Sequence, residues 1–227
     1  MHHYYLKECD STQSSFKEFW AKRDAQQTEL LVSADNQHKG VGRRNSSWLS
    51  AKNGISMSCS LPAQSKITLS PLAVATFLCQ FFKIQGIDLR LKWPNDLLNS
   101  EGQKVGGILC QTLDQDRILV GIGLNLLLTK DERLELKSTP YPVGDLDHQI
   151  KDKKKFAEEI YKFLLRQSIF SIEEWNSYCI HLRKLVSITD GETVLKGQFI
   201  GIDHDGAAIL EIDSRPHRVL TGSLRIS

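Results

Sequence analysis

The chain has 227 residues, of which 41% are hydrophobic and 25% charged, and its formal net charge is +2. This composition is typical of a soluble globular protein with one sizeable core, and the near-neutral charge disfavours a polyanion-binding protein. No stretch approaches about 18 uncharged apolar residues, so no membrane span is expected. The start of the chain lacks the apolar run of a signal peptide. Five scattered cysteines without a Cys-x-x-Cys pair predict neither a disulfide framework nor a zinc site, and a cytoplasmic location is expected.

The N-terminal part of the chain predicts one helix followed by one strand. His2 and His3 show no pattern and are expected to belong to a frayed terminus. Ser11 and Thr12 precede aromatic residues at helical spacing, and a hydroxyl residue in that position is expected to cap a helix. Residues 30–34 are a short apolar run, which predicts a buried strand.

The segment 37–48 is polar, basic and glycine-bearing, which predicts a mobile loop. Its spacing is not that of a phosphate-binding loop with a Lys-Ser/Thr pair. It also fails the dinucleotide pattern, because Ser47 stands where Gly-x-Gly-x-x-Gly needs its last glycine. By its residues alone, this loop is weak evidence for a binding site and is compatible with a solvated connection.

Two regular elements follow the loop. Residues 54–61 alternate apolar and polar side chains, which predicts a strand. Ser70-Pro71 is expected to open a helix and Gly86 to end it, because proline suits the first helical turn and glycine suits the residue after the last. This helix needs no role beyond packing.

The next stretch reads as a hairpin. Residues 89–93 alternate between apolar and basic, and the strand is expected to end at Pro94, which cannot donate to a sheet ladder. Residues 99–102 predict a turn. Residues 105–109 then return as a second strand with two adjacent glycines, which indicates either a bend or a close approach to the backbone.

The polar residues of this hairpin suit a small anionic ligand. Asn95 and Asp96 are expected where the chain leaves the first strand, and Lys104 precedes the second. Gly106 and Gly107 have no side chains, so they leave the backbone of the second strand uncovered. An ordinary bulged hairpin explains the same spacing equally well.

The second half of the chain begins with a predicted strand at 117–126, followed by a charged, unpatterned region at 129–149. Residues 151–170 carry a helical apolar face. The Ser-x-x-Glu pattern at 171–174 is a capping box that predicts a further helix to about residue 182.

From residue 185 the pattern changes to short alternating strands. Asp190-Gly191 and Asp205-Gly206 are hairpin signals between them. About 43 residues of this kind predict a small β-barrel that depends on the main domain for stability. We therefore divide the chain into domains at 1–184 and 185–227.

Four of these motifs resemble those of biotin protein ligases. Lys92-Trp-Pro-Asn-Asp96 followed by Lys-Val-Gly-Gly-Ile-Leu at 104–109 resembles the signature of that family. The Asp-Ser-Thr at 10–12 and the Gly-x-Gly-x-Asn at 121–125 resemble two further family motifs. Residues 40–48 resemble the Gly-Arg-Gly-Arg-x4-Trp loop.

The loop departs from the family pattern at two positions, where Val41 replaces the first arginine and Asn45 a glycine. The resemblance implies an α+β fold in residues 1–184, with a mixed, mainly antiparallel sheet packed with helices. For residues 185–227 it implies a small SH3-like β-barrel. Only about ten residues precede Ser11, so a ligase without an N-terminal DNA-binding domain is expected.

The implied activity is ATP-dependent ligation. Biotin and ATP-Mg²⁺ would give biotinyl-5′-AMP, and the biotinyl group would then pass to a lysine of a biotin carboxyl carrier protein. No nucleic acid or membrane partner is implied, no side-chain cluster for a metal is expected beyond the Mg²⁺ carried with ATP, and the protein would be a monomer or a weak homodimer.

The resemblance also implies the site residues. Arg43 would act at the phosphate and Lys104 at the biotin carboxylate, and Asp96 would accept the proton of the target lysine or orient that lysine. The biotin site would comprise Ser11, Thr12, Gln37, Gly40, Val41, Trp48, Lys104, Gly106, Gly107 and Leu109. The ATP and adenylate site would comprise Gly42, Arg43, Arg44, Asn95, Gly123 and Asn125. Tyr141 and Val143 are the candidates for covering the adenine.

Three other functions remain open at the level of the sequence. A lipoate or octanoate ligase or transferase shares the fold class, but it would need no site for the ureido group of biotin. A non-catalytic biotin-binding protein would not need both Arg43 and Lys104. A nucleic-acid-binding protein built on the C-terminal strands is disfavoured by the near-neutral charge.

Overall fold

The computed structural model describes residues 1–136 and 141–226. Within them, a seven-stranded sheet forms the centre of the main domain, and all its neighbouring strands are antiparallel except the first pair. In spatial order its strands are β1 (His2–Cys9), β2 (Leu30–Gln37), β5 (Asn53–Pro62), β9 (Arg117–Leu127), β8 (Lys104–Thr112), β7 (Asp96–Leu98) and β6 (Arg90–Lys92). Two short strands, β3 (Gly40–Val41) and β4 (Ser47–Trp48), pair with each other inside the loop at 37–48. The predicted mixed, mainly antiparallel sheet is confirmed.

The prediction of a frayed N-terminus is wrong. Residues 2–9 form β1, the edge strand that pairs in parallel with β2. His3 is fixed by hydrogen bonds from its two ring nitrogens, at 2.8 Å to Ser33 Oγ and 2.9 Å to Glu158 Oε1. The strand was missed because its residues are mostly half-buried or exposed, which leaves no clean apolar alternation.

The sequence predicts all but one of the helices in the described part of the chain. They are α1 (Thr12–Lys22), α2 (Ser70–Ile84), α3 (Lys130–Glu135), α4 (Lys153–Leu165) and α5 (Ile172–Tyr178). The predicted start of α2 at Ser70-Pro71 is confirmed, and Gly86 after its end has a φ of +78°, which glycine adopts without strain. Residues 67–84 are long and apolar enough to cross a membrane, but 67% of them are buried inside the fold, so this segment is a core helix.

Three helix predictions need correction. Helix α3 lies in the region expected to be unpatterned, and its capping box is complete: Thr129 Oγ1 accepts from the Glu132 backbone N–H, and Glu132 Oε2 accepts from the Thr129 N–H. Helix α4 ends at residue 165 and not 170. Helix α5 begins at the predicted Ser171 cap but ends at residue 178, because Cys179 is already extended. Part of the region 129–149, residues 137–140, lies outside the described residues.

The hairpin at 89–109 has one strand more than predicted. Asp96 and the two residues after it do not leave the sheet but form β7, which pairs with β6 on one side and β8 on the other. The chain reverses at Trp93, Pro94 and Asn95, and the predicted turn at 99–102 connects β7 to β8. Asn95 and Asp96 therefore lie at the end of a three-stranded meander, on its tight turn.

The C-terminal part is a five-stranded antiparallel sheet of the SH3-like kind. Its strands are β10 (Leu185–Asp190), β11 (Thr193–Ile202), β12 (Ala208–Ile212), β13 (Arg215–Val219) and β14 (Ser223–Ile226), paired in the order β13-β12-β11-β10-β14. The predicted barrel is not strictly closed, because β13 and β14 are not paired in the described part of the chain. The domain boundary at 184/185 stays a prediction, and Ser227 lies outside the described residues.

The small sheet packs directly on the meander. Trp93, which is 1% exposed, donates from its indole Nε1 to the carbonyl of Gly206 in the β11–β12 turn, at 3.0 Å. His181 is fully buried, with its ring centroid 4.3 Å from that of Phe199 on β11. Buried residues of both sheets belong to one continuous hydrophobic cluster, so the two parts share a core.

The burial of His181 predicts a loss of stability in mild acid. Burial, with a smaller effect of the cations Lys92 and Lys184, lowers the pKa of His181 to about 3. Between that pH and its ordinary pKa near 6.5, the unfolded chain binds a proton that the folded chain does not. The free energy of unfolding therefore falls with decreasing pH by ~1.4 kcal/mol per pH unit, or ~2 kcal/mol between pH 7 and pH 5.

Urea unfolding of the wild type and of His181→Leu at both pH values measures this contribution. The variant should be less stable at pH 7 but should lose ~2 kcal/mol less than the wild type on going to pH 5. An equal loss in both proteins would show that His181 titrates normally in the folded state.

Candidate active site

A cavity of about 340 Å³ lies between the meander, the loop at 37–48, the start of α1 and the edge of the C-terminal sheet. Most residues that the sequence assigned to ligand binding line it. They are Ser11, Thr12, Gln37, Val41, Gly42, Arg43, Arg44, Trp48, Asn95, Asp96, Lys104, Gly107, Leu109 and Gly123. Residues that are distant along the chain are thus brought to one place by the order of the strands.

One end of the cavity is a polar network at the start of α1. Gln37 Oε1 accepts from both the backbone N–H and the hydroxyl of Thr12, at 2.8 and 3.1 Å. The Thr12 hydroxyl accepts in turn from Ser58 Oγ at 2.9 Å. Ser11 stands at the N-cap position, but its side chain makes no capping bond, so the expected capping role is not formed. These groups offer a small polar ligand both donors and acceptors.

A charged cluster lies at the turn of the meander. Asp96 is held between two ammonium groups, with Lys92 Nζ at 2.6 Å from one carboxylate oxygen and Lys104 Nζ at 2.5 Å from the other. Burial would raise the pKa of Asp96, but the two lysines outweigh it and hold that pKa below its ordinary value. Asp96 is therefore an ionised acceptor, and the cluster has a surplus of one positive charge beside the cavity.

Asn95 and Arg43 meet beside this cluster. Asn95 Nδ2 donates to the carbonyl of Ile108 at 2.8 Å, which fixes the amide on β8. Arg43 Nη1 lies 3.5 Å from Asn95 Oδ1 and donates to the carbonyl of Gly222 at 3.2 Å. Burial and the adjacent Arg44 lower the pKa of Arg43, which indicates a partly desolvated guanidinium suited to an anion.

Trp48 covers bare backbone on the sheet. A Cβ added to Gly123 would lie 2.5 Å from Trp48 Cε2, and one added to Gly107 would be 3.8 Å from Trp48 Cζ3. Only glycine at position 123 allows the indole to lie this close to β9. Lys104 Nζ is 5.9 Å from the centroid of the indole, so the aromatic wall and the cationic cluster adjoin.

The loop at 37–48 is closed over the cavity. Its two short strands pair only at Gly40–Trp48 and Val41–Ser47, with a helical turn between them. Arg44 in that turn has a φ of +53°, a left-handed conformation that is uncommon for residues other than glycine. Its guanidinium reaches from the edge of the cavity to the C-terminal sheet, where it bonds Asp190 and Thr221.

Three of the predicted site residues do not line the cavity. Gly106 faces the core, because a Cβ there would meet Leu97 and Leu124. Asn125 is buried and donates to the carbonyl of Gly144 at 3.2 Å. Gly40 supports the loop, since a Cβ there would come within 2.6 Å of the Gln37 amide. These three residues support the strands and the loop that form the cavity but do not line it.

The cavity also contains residues that the sequence did not assign. Gln13 follows the predicted Ser-Thr pair and donates to the carbonyl of Leu109 at 3.1 Å, across the bare backbone of Gly121. Its position directly after Thr12 is the feature of the sequence that could have identified Gln13 as a site residue. Lys92 was noted only as part of a motif, although its pairing with Asp96 four residues later is visible in the sequence.

The segment that follows the undescribed residues 137–140 closes one side. Tyr141 lines the cavity, and its ring centroid is 5.0 Å from Lys92 Nζ and 5.7 Å from the guanidinium carbon of Arg225. The backbone N–H of Lys104 donates to the carbonyl of Pro142, which places Val143 beside β8. Of the two candidates for covering an adenine, only Tyr141 faces the cavity.

Comparison with known proteins agrees with this geometry. The model of the biotin/lipoate A/B protein ligase family matches residues 5–125. A bifunctional ligase/repressor, BirA of Bacillus spizizenii, is 27% identical over 99% of this chain and 74% of its own length.

Solved structures resemble the whole chain. The biotin protein ligase from Aquifex aeolicus in complex with biotin and ATP has a TM-score of 0.79 and 26% identity, covering 100% of this chain and 99% of its own. The biotin acetyl coenzyme A carboxylase synthetase from Helicobacter pylori has the same fold, with a TM-score of 0.71 and 21% identity over 96% of this chain and 99% of its own.

Proposed function

Because the chain belongs to the biotin/lipoate A/B protein ligase family, we propose that its cavity joins the carboxylate of biotin to the α-phosphate of ATP. The enzyme is an ATP-dependent biotin–protein ligase that acts through biotinyl-AMP. The observation that carries the assignment of the site is the cationic group of Lys92, Lys104 and Arg43 beside the polar network at Thr12 and Gln37.

The first half-reaction brings two anions together. The biotin carboxylate attacks the α-phosphorus of ATP, forming the acyl–phosphate bond while pyrophosphate leaves. Fixed positive charge is the main requirement of such a step. Lys104 would neutralise the carboxylate and Arg43 the phosphate, and Asn95 would fix the guanidinium from the meander. No enzyme nucleophile takes part.

A magnesium ion would be held chiefly by the substrate. Among residues 1–136 and 141–226, no three His, Cys, Asp or Glu side chains converge to hold a metal ion. Asp96, the carboxylate nearest the cationic group, is already paired with two lysines. Mg²⁺ would supply charge neutralisation for the leaving phosphates, whose own oxygens would be its main ligands.

The second half-reaction transfers the biotinyl group to a lysine amine. The amine attacks the acyl carbon, AMP leaves, and the amine loses a proton. Because Lys92 and Lys104 hold the pKa of Asp96 low, its carboxylate is ionised and can orient an incoming ammonium or accept a proton through water. The acceptor would be a biotin carboxyl carrier protein, and a cytoplasmic monomer or weak homodimer remains the prediction.

The remaining site residues divide between the two ligands. Ser11, Thr12 and Gln37 would bond the ureido group, and Trp48 with Gly107 and Leu109 would enclose the ring and the valeryl chain. Gly42, Gly123 and Tyr141 would lie on the adenylate side. Gly40, Gly106 and Asn125, which do not line the cavity, would support these groups.

Selectivity for biotin over lipoate should be strong. Lipoate lacks the ureido group, so Ser11 and the hydrogen-bonding capacity that Thr12 and Gln37 have beyond their mutual bonds would find no ligand partner in a closed cavity. Each unmet buried hydrogen bond costs ~1–3 kcal/mol, and two or three together predict a preference of at least ~100-fold in kcat/KM for adenylation. Pyrophosphate release measured with biotin and with lipoate tests this. Equal rates would mean that the network at Thr12 and Gln37 does not recognise the ureido group.

A single assay tests the proposed function as a whole. Incubation with biotin, ATP and Mg²⁺ should yield enzyme-bound biotinyl-AMP, detectable by mass spectrometry of the intact complex and of the released ligand. Addition of a purified carrier domain should discharge it, with a mass increase on one lysine. Binding of biotin without adenylate formation would show a non-catalytic biotin-binding protein.

A further inference from the structure

Two consecutive arginines of the active-site loop bond the C-terminal sheet. Arg44 Nη2 donates to Asp190 Oδ1 at 2.6 Å and to Thr221 Oγ1 at 3.2 Å. Arg43 Nη1 donates to the carbonyl of Gly222 at 3.2 Å. These partners belong to two adjoining turns, because β10 pairs with β14 and the register sets Thr189 opposite Ser223.

The loop has little else to hold it closed. Its internal strands contribute two residue pairs, and within the turn Gly42 N–H donates to the carbonyl of Ser46 at 2.7 Å. Its exposed residues include Val41, Arg44 and Ser47, which bury little apolar surface. The backbone N–H groups of His38 and Lys39 donate to the carbonyls of Cys9 and Asp10 and anchor the start of the loop, and Trp48 anchors its end on the main sheet, so the residues between them depend on few contacts. The loop is therefore sensitive to a single added contact.

The backbone at Arg44 gives independent support for a restraint at this point. A φ of +53° is disfavoured for a residue with a Cβ and persists when the surroundings hold it. That conformation directs consecutive side chains to different places, Arg43 to Asn95 at the cavity and Arg44 to Asp190 outside it. The outer contact thereby fixes the direction of the inner arginine.

Building on the proposed function, we propose that Asp190 is a positioning residue of the ligase: through Arg44 it holds the active-site loop closed over biotinyl-AMP and keeps Arg43 directed at the cavity. Asp190 touches no substrate. Its effect is on how long the adenylate is retained, since the acyl phosphate is hydrolysed once it reaches water. The two side chains are 47% and 45% exposed, so the pair is screened by salt and the effect is modest.

A matched pair of substitutions tests this role. Asp190→Asn removes the ion pair with almost no change in size, and Glu192→Gln removes the same charge from the same turn, at an exposed residue. Pyrophosphate release without acceptor reports escape and hydrolysis of the adenylate. Asp190→Asn should raise it by ~3–5-fold. Glu192→Gln should leave it within ~2-fold of the wild type, as expected for a surface change away from any contact.

Three further readouts separate positioning from a purely structural effect. Hydrogen exchange of residues 40–48 with adenylate bound should be faster in Asp190→Asn and unchanged in Glu192→Gln. Asp190→Glu, which can still reach Arg44, should recover much of the retention. Raising the salt to ~0.5 M should increase release in the wild type and have little effect on Asp190→Asn, because only the wild type has the pair to screen.

Equal release and equal exchange in Asp190→Asn and Glu192→Gln would overturn the proposal, whether both match the wild type or both rise together. The wild-type reaction is the separate test of the proposed function. If the wild type forms no adenylate, the proposed function is wrong. Hydrogen exchange of residues 40–48 without ligand can still be compared between the two variants, and it shows whether the contact of Arg44 with Asp190 restrains the loop.

Discussion

Replacement of Lys104 by methionine should weaken biotin binding by ~10–150-fold and slow adenylate formation at least as much. The lost charge-assisted bond to the carboxylate is worth ~1.5–3 kcal/mol. Asp96 would also keep only one of its two lysine partners, Lys92. The cluster beside the cavity then loses its surplus positive charge and no longer attracts the carboxylate that must approach it. Calorimetry with biotin and single-turnover adenylation measure the two effects.

Arg90→Met is the matched control for this change. It removes a cation from the same meander, but Arg90 pairs with Asp88 and does not line the cavity. Its biotin affinity should stay within ~2-fold of the wild type, as expected for a surface substitution. Unaltered affinity and rate in Lys104→Met would show that this lysine only neutralises Asp96.

Gly123→Ala should reduce biotin affinity by ~100-fold while leaving the fold stable. The added methyl group would lie 2.5 Å from the indole of Trp48, so the indole must leave β9. Trp48 belongs to a loop with few other anchors, so the loop is displaced and the strand is not. The lost contacts of one aromatic wall and the disordered loop together predict a cost near 2.5–3 kcal/mol. Calorimetry measures the affinity for biotin, and thermal unfolding measures the stability of the fold.

A double-mutant cycle separates this mechanism from a direct clash with ligand. If Gly123 acts through the indole, Trp48→Ala should lose similar affinity, and the double variant should lose hardly more than either single one. Additive losses would mean that the added methyl group acts on the ligand itself, independently of Trp48.

The sequence could predict most residues that line the candidate site because they lie in short continuous motifs. Lys92 and Asp96 are four residues apart, and the glycines at 106 and 107 follow on the paired strand, so one meander carries the charged cluster and its floor. The start of α1 was found through its hydroxyl residues, although Thr12 bonds Gln37 and Ser11 caps nothing. The motif therefore located these residues at the cavity correctly, although the hydrogen bonds expected of their side chains were wrong.

The parts that could not be predicted depend on which face of a strand a residue occupies and on contacts distant in sequence. Gly106 and Gly107 are adjacent, yet one faces the core and the other faces Trp48, and this alternation depends on the pairing register. The contact of Arg44 with Asp190 spans 146 positions and carries no local signal. The strand at 2–9 was missed for a similar reason. Its residues show no apolar alternation, and the strand is formed by pairing with β2, which is distant in sequence.

The hydrogen bond from Trp93 to the carbonyl of Gly206 has a consequence for engineering this protein. Trp93 begins the turn that carries Asn95 and Asp96, so a turn of the small sheet supports the base of the charged cluster. A spacer inserted between α5 and β10, or a tag grafted into the β11–β12 turn, would therefore disturb the charged cluster from outside the cavity. The exposed β12–β13 turn at Asp213 and Ser214 is the safer attachment point, because none of the contacts described above passes through it.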